Sequence, residues 1–298
     1  MLMTPESQPV EWLTAKWPLD WSTVFGRAAP LVVEVGFGNG AHLFRLAERR
    51  TDANVVGIEL SAAMLRETDR KRARRSIANL CLVQGDAHFV LERLFDCASI
   101  DEIYVNFPDP WYKKAHHDRR LIQPRFLELA SSRLIHGGHL RIASDHAGLN
   151  EWLTKIIGAQ SLFRSAFDEI SVTAPSERLA THYESKALAA GAEIRYYVLE
   201  NVAPASVPVA EDVPEAMPNV ALLGPFDGHR FFGSFALDAS RFVHDREDVV
   251  ISFTEVFKSR ERDEWLVETT VRDGRLQQMI GIIVAHRAPL NTTIKVAR

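Results

Sequence analysis

Between residues 30 and 145 the chain alternates short, β-branched and largely apolar runs with longer segments whose apolar residues recur every three to four positions. The runs LVVEVG (31–36), NVVGIEL (54–60), NLCLVQGD (79–86), IDEIYVNF (100–107) and GHLRIASD (138–145) predict strands, because a strand covered on both faces has no polar side to show. Helical periodicity predicts helices over 41–50, 61–78, 87–95, 121–135 and 146–158. This alternation predicts right-handed crossovers and an α/β fold built on a doubly wound, mostly parallel sheet. FRSAFDEISV (163–172) and AEIRYYVLEN (192–201) add an antiparallel pair at its edge, for seven strands in all.

The pattern then changes. VAPASVPVAEDVPEAMP (202–218) holds four prolines and few large apolar residues, as a linker does. Beyond it, HRFFGSFALD, DVVISFTEVFK and EWLVETTVRDGRLQQMIGIIVAH read as strands, the last reversing at an Asp273-Gly274 hairpin turn. The expected organisation is a first domain over 1–201, a Pro-rich linker over 202–218 and a smaller β-rich domain over 219–298. Phe231, Phe232, Phe235, Phe242, Phe253 and Phe257 are its expected core.

Ligands of a doubly wound sheet bind beyond the carboxyl ends of its strands. The residues found there are a glycine loop, Gly36, Gly38 and Gly40, followed by Glu59, Asp86, Asp109 and Asp145. The glycines do not fit the G-x-G-x-x-G spacing of dinucleotide sites. A G-x-G-x-G loop with an acid two residues before it suits S-adenosyl-L-methionine better, with Glu34 as acceptor for the ammonium of its amino-acid tail. Glu59, about twenty residues past the loop, is placed to accept from ribose hydroxyls. Asp86 is placed either to accept from the adenine amine or to cap the following helix. In NFPDPWYKK, prolines on both sides of Asp109 predict a stiff loop with extended residues before each proline. Trp111 and Tyr112 follow as planes for stacking.

Charge refines the picture. The 298 residues carry a net charge of -4, so a polyanionic partner needs a local basic patch. The segment LRETDRKRARR (65–75) supplies one, with six basic and two acidic residues and with Arg66, Arg70 and Arg74 in one helical stripe. A solvated face is the plain alternative. Its position at the same end of the sheet as the loop 113–120 favours phosphate contact. Cys81 and Cys97 read as reduced core residues, and no His/Cys cluster has metal-ligand spacing. His42, His88, His136, His139 and His146 read as structural or surface residues. MLMTPESQPVEWLTAKW lacks the apolar core of a signal peptide, and no segment is long and apolar enough to span a bilayer, which predicts a cytoplasmic protein. The expected assembly is a monomer or a homodimer.

LDWSTVFG, PLVVEVGFGNG, GIEL, QGDA, NFPDPWYKKAHHDRR, GGHLRIASDH and THYESKAL together resemble the tRNA (guanine-N7-)-methyltransferase family, from about residue 19 to 200. The resemblance implies a seven-stranded Rossmann-like methyltransferase over 1–201, with tRNA as partner and no metal. It implies methyl transfer from S-adenosyl-L-methionine to N7 of the variable-loop guanine at position 46. It makes Glu34, Glu59, Asp86 and Asp109 the cofactor contacts, with the glycine loop between. Lys113, Asp145, Thr181, His182, Tyr183 and Glu184 match substrate positions. The loop 115–120 matches the RNA-contacting loop, where Ala115 and Asp118 replace frequently basic residues and leave His116, His117, Arg119 and Arg120 for phosphate. His146 stands where the family commonly has Trp or Tyr. Asp109 is the expected catalytic residue. The rival readings are a methyltransferase of another RNA or of a small amine, a nucleotide-cofactor oxidoreductase, and a non-catalytic RNA-binding module that keeps the fold.

Overall fold

The computed structural model describes residues 2–3, 9–10, 17–75, 77–173, 184, 191–209, 220–223, 241–243, 249–259, 262–273, 276–288 and 291–297. It divides into two compact units, Met1–Val213 and Pro214–Arg298.

In the first unit β1 (Leu2–Met3), β2 (Pro9–Val10) and α1 (Trp21–Phe25) precede the alternating part. That part runs β3 (Leu31–Val35), α2 (Ala41–Arg49), β4 (Asn54–Glu59), α3 (Ala62–Arg75), β5 (Leu80–Gln84), α4 (Ala87–Leu94) and β6 (Ile100–Asn106). It continues through α5 (Pro124–Arg133), β7 (Leu134–Ser144), α6 (Ala147–Gly158), β8 (Phe163–Ser165) and β9 (Arg195–Asn201). The sheet order is β2-β1-β5-β4-β3-β6-β7-β9-β8. Strands β3 to β7 are mutually parallel, while β8 and β9 close one edge antiparallel. The seven expected strands are therefore present, and the two-residue strands β1 and β2 extend the edge beyond β5. They are too short to leave a periodic signature.

Strand order reverses at β3, which pairs with β4 on one side and β6 on the other. The tips of β3 and β6 therefore bound a crevice, where such sheets bind ligands. All five residues of β3 are buried. Above it α2 sets Leu43, Phe44, Leu46 and Ala47 into a core shared with Val32, Val55, Leu65, Leu80 and Leu82. The helix lies so close to β4 that a Cβ on Gly57 would stand 2.5 Å from Leu43 Cδ2 and 2.7 Å from Phe37 Cδ1. A cleft of about 460 Å³, lined by Trp21, Arg27, Leu31 and Asn54 among others, opens at the opposite, amino-terminal ends of β3 and β4. Arg27 there is spent on Asn54 Oδ1 and on the carbonyls of Thr51 and Ala53.

Two expectations need correcting in this unit. Residues 202–208, read as the start of a linker, are fastened to the sheet domain. Val202 and Ala203 donate to the Leu162 carbonyl and Ala205 to Ser131 Oγ. Arg133, fully buried, donates to the carbonyls of Val207 and Pro208 as well as to those of Leu91 and Glu92. Composition signals weak self-packing in such a stretch and says nothing of a buried arginine waiting for its carbonyls. Cys97, read as core, is exposed in the turn after α4, where its N–H is held by Asp96 Oδ1. Cys81 is buried as expected, and burial pushes its thiol pKa up to about 12.

The second unit is a six-stranded antiparallel sheet of β10 (Val220–Leu223), β11 (Arg241–Val243), β12 (Val249–Lys258), β13 (Glu264–Asp273), β14 (Leu276–Ala288) and β15 (Asn291–Ala297). Its order is β10-β15-β14-β13-β12-β11. Asp273 ends β13 and pairs with Leu276, and Gly274 of the expected turn lies outside the described residues. Val250, Trp265, Val267, Val284 and Ala285 are buried. Phe257, expected in the core, is 45 % exposed because it pairs with Leu266 on the open face, itself 37 % exposed. Phe231, Phe232 and Phe235 lie outside the described residues.

Candidate active site

Tight turns at the tip of β3 require left-handed backbone, and Gly36, Gly38 and Gly40 take φ of 70°, 54° and 75°. A Cβ on Gly36 or Gly38 would enter open space, whereas one on Gly40 would stand 2.7 Å from Thr68 Cγ2. Glu59 clamps this loop: Oε2 accepts from the Gly38 amide and Oε1 from the Ser61 amide, each at 2.9 Å. An ionised carboxylate has about four acceptor sites, so two remain for hydroxyl donors. Asp86 fulfils the capping reading, its Oδ1 accepting from His88 N at 3.0 Å and Phe89 N at 3.1 Å. Oδ2 is left for the second reading. Burial raises the pKa of this carboxyl, with the cap bonds acting in opposition.

Glu34, on β3, is 2 % exposed. Its Oε1 accepts from Asn106 Nδ2 at 3.1 Å, and Asn106 ends β6 on the same face. Its Oε2 is a buried acceptor with no aligned donor. His42 Nδ1 stands 3.1 Å from Oε2, within ion-pair reach but off the hydrogen-bond line, and equally 3.1 Å from Asn106 Nδ2. Burial of the ring opposes its protonation, but the Glu34 carboxylate and then Glu184 outweigh that and hold the His42 pKa above the ordinary 6.5. Glu184 is 4 % exposed and accepts from the Tyr196 hydroxyl. Thr181, His182 and Tyr183 lie outside the described residues.

Sequence reasoning missed His42 and Asn106. For His42 the signal was its place in the first turn after Gly40, on a helix that must cover β3, whereas Asn106 meets Glu34 only through strand register, two residues past its partner Tyr104.

Asp109 is exposed at the crevice, on a loop held from both sides. Phe107 N donates to the Ala143 carbonyl at 2.8 Å, and the Phe107 side chain packs on Ala143, Ile194 and Tyr196. This packing overrides the extended preference expected before Pro108, because Phe107 has φ 51°. Trp111 has φ 42°. Non-glycine residues in that region carry strain on the order of 1–3 kcal/mol each and persist only where surroundings enforce them. The enforcing group is Arg120, 4 % exposed, whose Nε donates to the Pro110 carbonyl at 2.9 Å. Its Nη2 lies 3.0 Å from His117 Nε2, and Gln123 holds the His117 carbonyl at 2.7 Å. Arg120 and His117, expected at the RNA, are thus engaged in bracing the loop: burial and carbonyl partners have claimed them.

Lys113 and Arg119 are exposed, and Arg119 sits 5.3 Å over the Trp111 ring with His116 edge-on at 5.9 Å. Tyr112 is 74 % exposed. Asp145 follows β7 at the same end of the sheet, and His146 caps α6 by accepting from Leu149 N at 3.2 Å. On α3, Arg66, Arg70 and Arg74 are exposed as expected, while Arg72 turns inward to Asp69 at 2.7 Å.

The sequence profile of a family described as "Putative methyltransferase" matches residues 28–196, more than half of the chain. A tRNA (guanine-N(7)-)-methyltransferase of Mycobacterium avium is 35 % identical over 181 residues, which is 61 % of this chain and 70 % of that protein. The chain belongs to the tRNA (guanine-N7-)-methyltransferase family. Members from Paraburkholderia xenovorans, 36 % identical over 58 % of this chain and 66 % of theirs, and Thermus thermophilus, 38 % over 59 % and 55 %, agree. The chain thus spans between about half and about 70 % of these tRNA (guanine-N7-)-methyltransferases, and the matched segment stops before the second unit.

The site of this family member fits S-adenosyl-L-methionine. It offers a buried oxygen without a donor at Glu34, open space over Gly36 and Gly38, spare acceptor capacity on Glu59 and the second oxygen of Asp86. Among the described residues, no cluster of three His, Cys, Asp or Glu side chains is placed to hold a metal. No helix among them is long and apolar enough to cross a membrane.

Proposed function

We propose that this protein methylates N7 of the guanine at position 46 in the variable loop of tRNA. The observation that carries the reading is the placement of an exposed carboxylate, Asp109, on a braced loop beside a cradle whose buried Glu34 oxygen has no donor. S-adenosyl-L-methionine supplies the electrophilic sulfonium methyl. Glu34 takes its ammonium, Glu59 its ribose hydroxyls and Asp86 its adenine amine.

Guanine N7 carries a lone pair in the base plane and no proton, so the residues need not act as a base. Their task is in-line positioning, which is worth on the order of 7–11 kcal/mol. Asp109 accepts from N1–H and the exocyclic amine of the base and stabilises the positive charge that spreads over its imidazole ring. Asp145, after the next strand, assists. Trp111 is occupied by Arg119 and His116, so Tyr112 is the plane left for stacking the base once it leaves its tertiary contact. Lys113, His116, Arg119 and the stripe Arg66, Arg70 and Arg74 take phosphates.

Incubation with unmodified tRNA and methyl-labelled cofactor, then nuclease digestion, yields labelled 7-methylguanosine, and tRNA with adenine at position 46 yields none. Label at another nucleoside, or only in ribosomal RNA, overturns the assignment. Replacing Arg66, Arg70 and Arg74 together by Gln flattens the plot of log binding constant against log salt by about 2 units, since each phosphate neutralised contributes about 0.7–0.9. An unchanged slope returns the stripe to a solvated face.

A further inference from the structure

We propose that a proton on His42 and the ammonium of the cofactor compete for one buried oxygen, Glu34 Oε2, which makes His42 a positioning residue that sets cofactor affinity. The inference rests on the reading of Glu34 as the acceptor for that ammonium.

Two features place the contest there. Oε2 is buried and receives no aligned hydrogen bond, although a buried carboxylate oxygen is costly to leave without a donor. His42 Nδ1 lies equidistant, at 3.1 Å, from that oxygen and from Asn106 Nδ2. The ring therefore has two arrangements. Neutral, with its lone pair on Nδ1, it accepts from Asn106 and leaves Oε2 open. Protonated on Nδ1, it becomes a donor that turns to Oε2 and closes it.

The surroundings make both states accessible. Glu34 faces the ring from β3, and Glu184 adds a second buried carboxylate on which a cation is favourable. Arg45, on the same helix, opposes the ring charge, and Tyr104 from β6 lies at 5.3 Å between ring centroids. Its hydroxyl is committed to Glu102 at 2.8 Å, which leaves the His42 proton to the two glutamates. Burial disfavours imidazolium while these carboxylates favour it, and they prevail. An arriving ammonium supplies the positive charge instead, and the proton on His42 loses its place.

The sign follows. Binding lowers the pKa of His42 from its raised value, so protons are released in the window between the bound and free values. Cofactor affinity rises with pH through that window, by up to about tenfold per pH unit for one full proton displaced.

The test is calorimetry of S-adenosylhomocysteine binding near neutral pH in buffers of different ionisation heat, with 5′-methylthioadenosine, which lacks the amino-acid tail, as second probe. Wild-type protein is expected to release a fraction of a proton with the first probe and none with the second. His42→Asn is expected to bind S-adenosylhomocysteine without proton release and with flat pH dependence. Binding of S-adenosylhomocysteine to wild type with no proton release, or equal release with both probes or in His42→Asn, overturns the competition while leaving the methyltransferase reading standing. The wild-type arms decide the matter even if the variant does not fold. No binding of S-adenosylhomocysteine at all overturns the cofactor reading, and this inference with it.

Discussion

Asp109→Asn lowers the single-turnover rate of tRNA methylation about 10²–10³-fold, the scale found when one preorganised group facing developing charge is removed. The substitution keeps the shape of the side chain, and nothing that fixes the loop passes through it. Arg120 on the Pro110 carbonyl and the Phe107 amide on the Ala143 carbonyl stay in place. The loss is therefore one of charge, and it falls on the chemical step. Binding of tRNA is expected to change little, because phosphate contacts supply most of that affinity and Asp109 faces only the base. A wild-type rate in rapid-quench single turnover removes Asp109 from its role, whatever happens to steady-state turnover.

Arg133→Met destabilises the first unit by about 3 kcal/mol, since every buried acceptor that loses its donor costs on the order of 1–3 kcal/mol and water reaches only some of them. The guanidinium, with no exposed surface, serves four carbonyls from two places: Leu91 and Glu92 towards the end of α4, and Val207 and Pro208 in the outgoing chain. Methionine matches much of its volume and none of its donors. For a unit of this size the loss corresponds to a fall in Tm of about 6–12 °C. Thermal unfolding followed by circular dichroism checks it. Below the transition, single-turnover methylation should match wild type, because Arg133 lies away from the strand tips that form the site. An unchanged Tm means that solvent replaces the guanidinium freely.

Much of this molecule was readable in advance, for a physical reason. Strands buried on both faces write themselves as continuous apolar runs, so β3, β4 and β5 fell within a residue or two of their expected bounds. A parallel sheet brings all its carboxyl ends to one side, so Glu59, Asp86, Asp109 and Asp145 could be placed together without a contact map. What lay across the sheet was less visible. Asn106 reaches Glu34 through strand register and His42 through the seating of a helix, and neither relation is local in sequence. Arg120 and Arg72 sit in basic runs whose composition cannot say which member turns inward. At Phe107 a local rule about the residue before proline yielded to tertiary packing against Tyr196 and Ile194.

The grip of Glu59 on the amides of Gly38 and Ser61 reaches beyond hydrogen-bond satisfaction. Through it the glycine loop after β3 is fastened to the last residue of β4, its neighbouring strand. One carboxylate thus joins three pieces of chain, the end of β4, the glycine loop and the entry to α3, so a displacement of any one is passed to the other two.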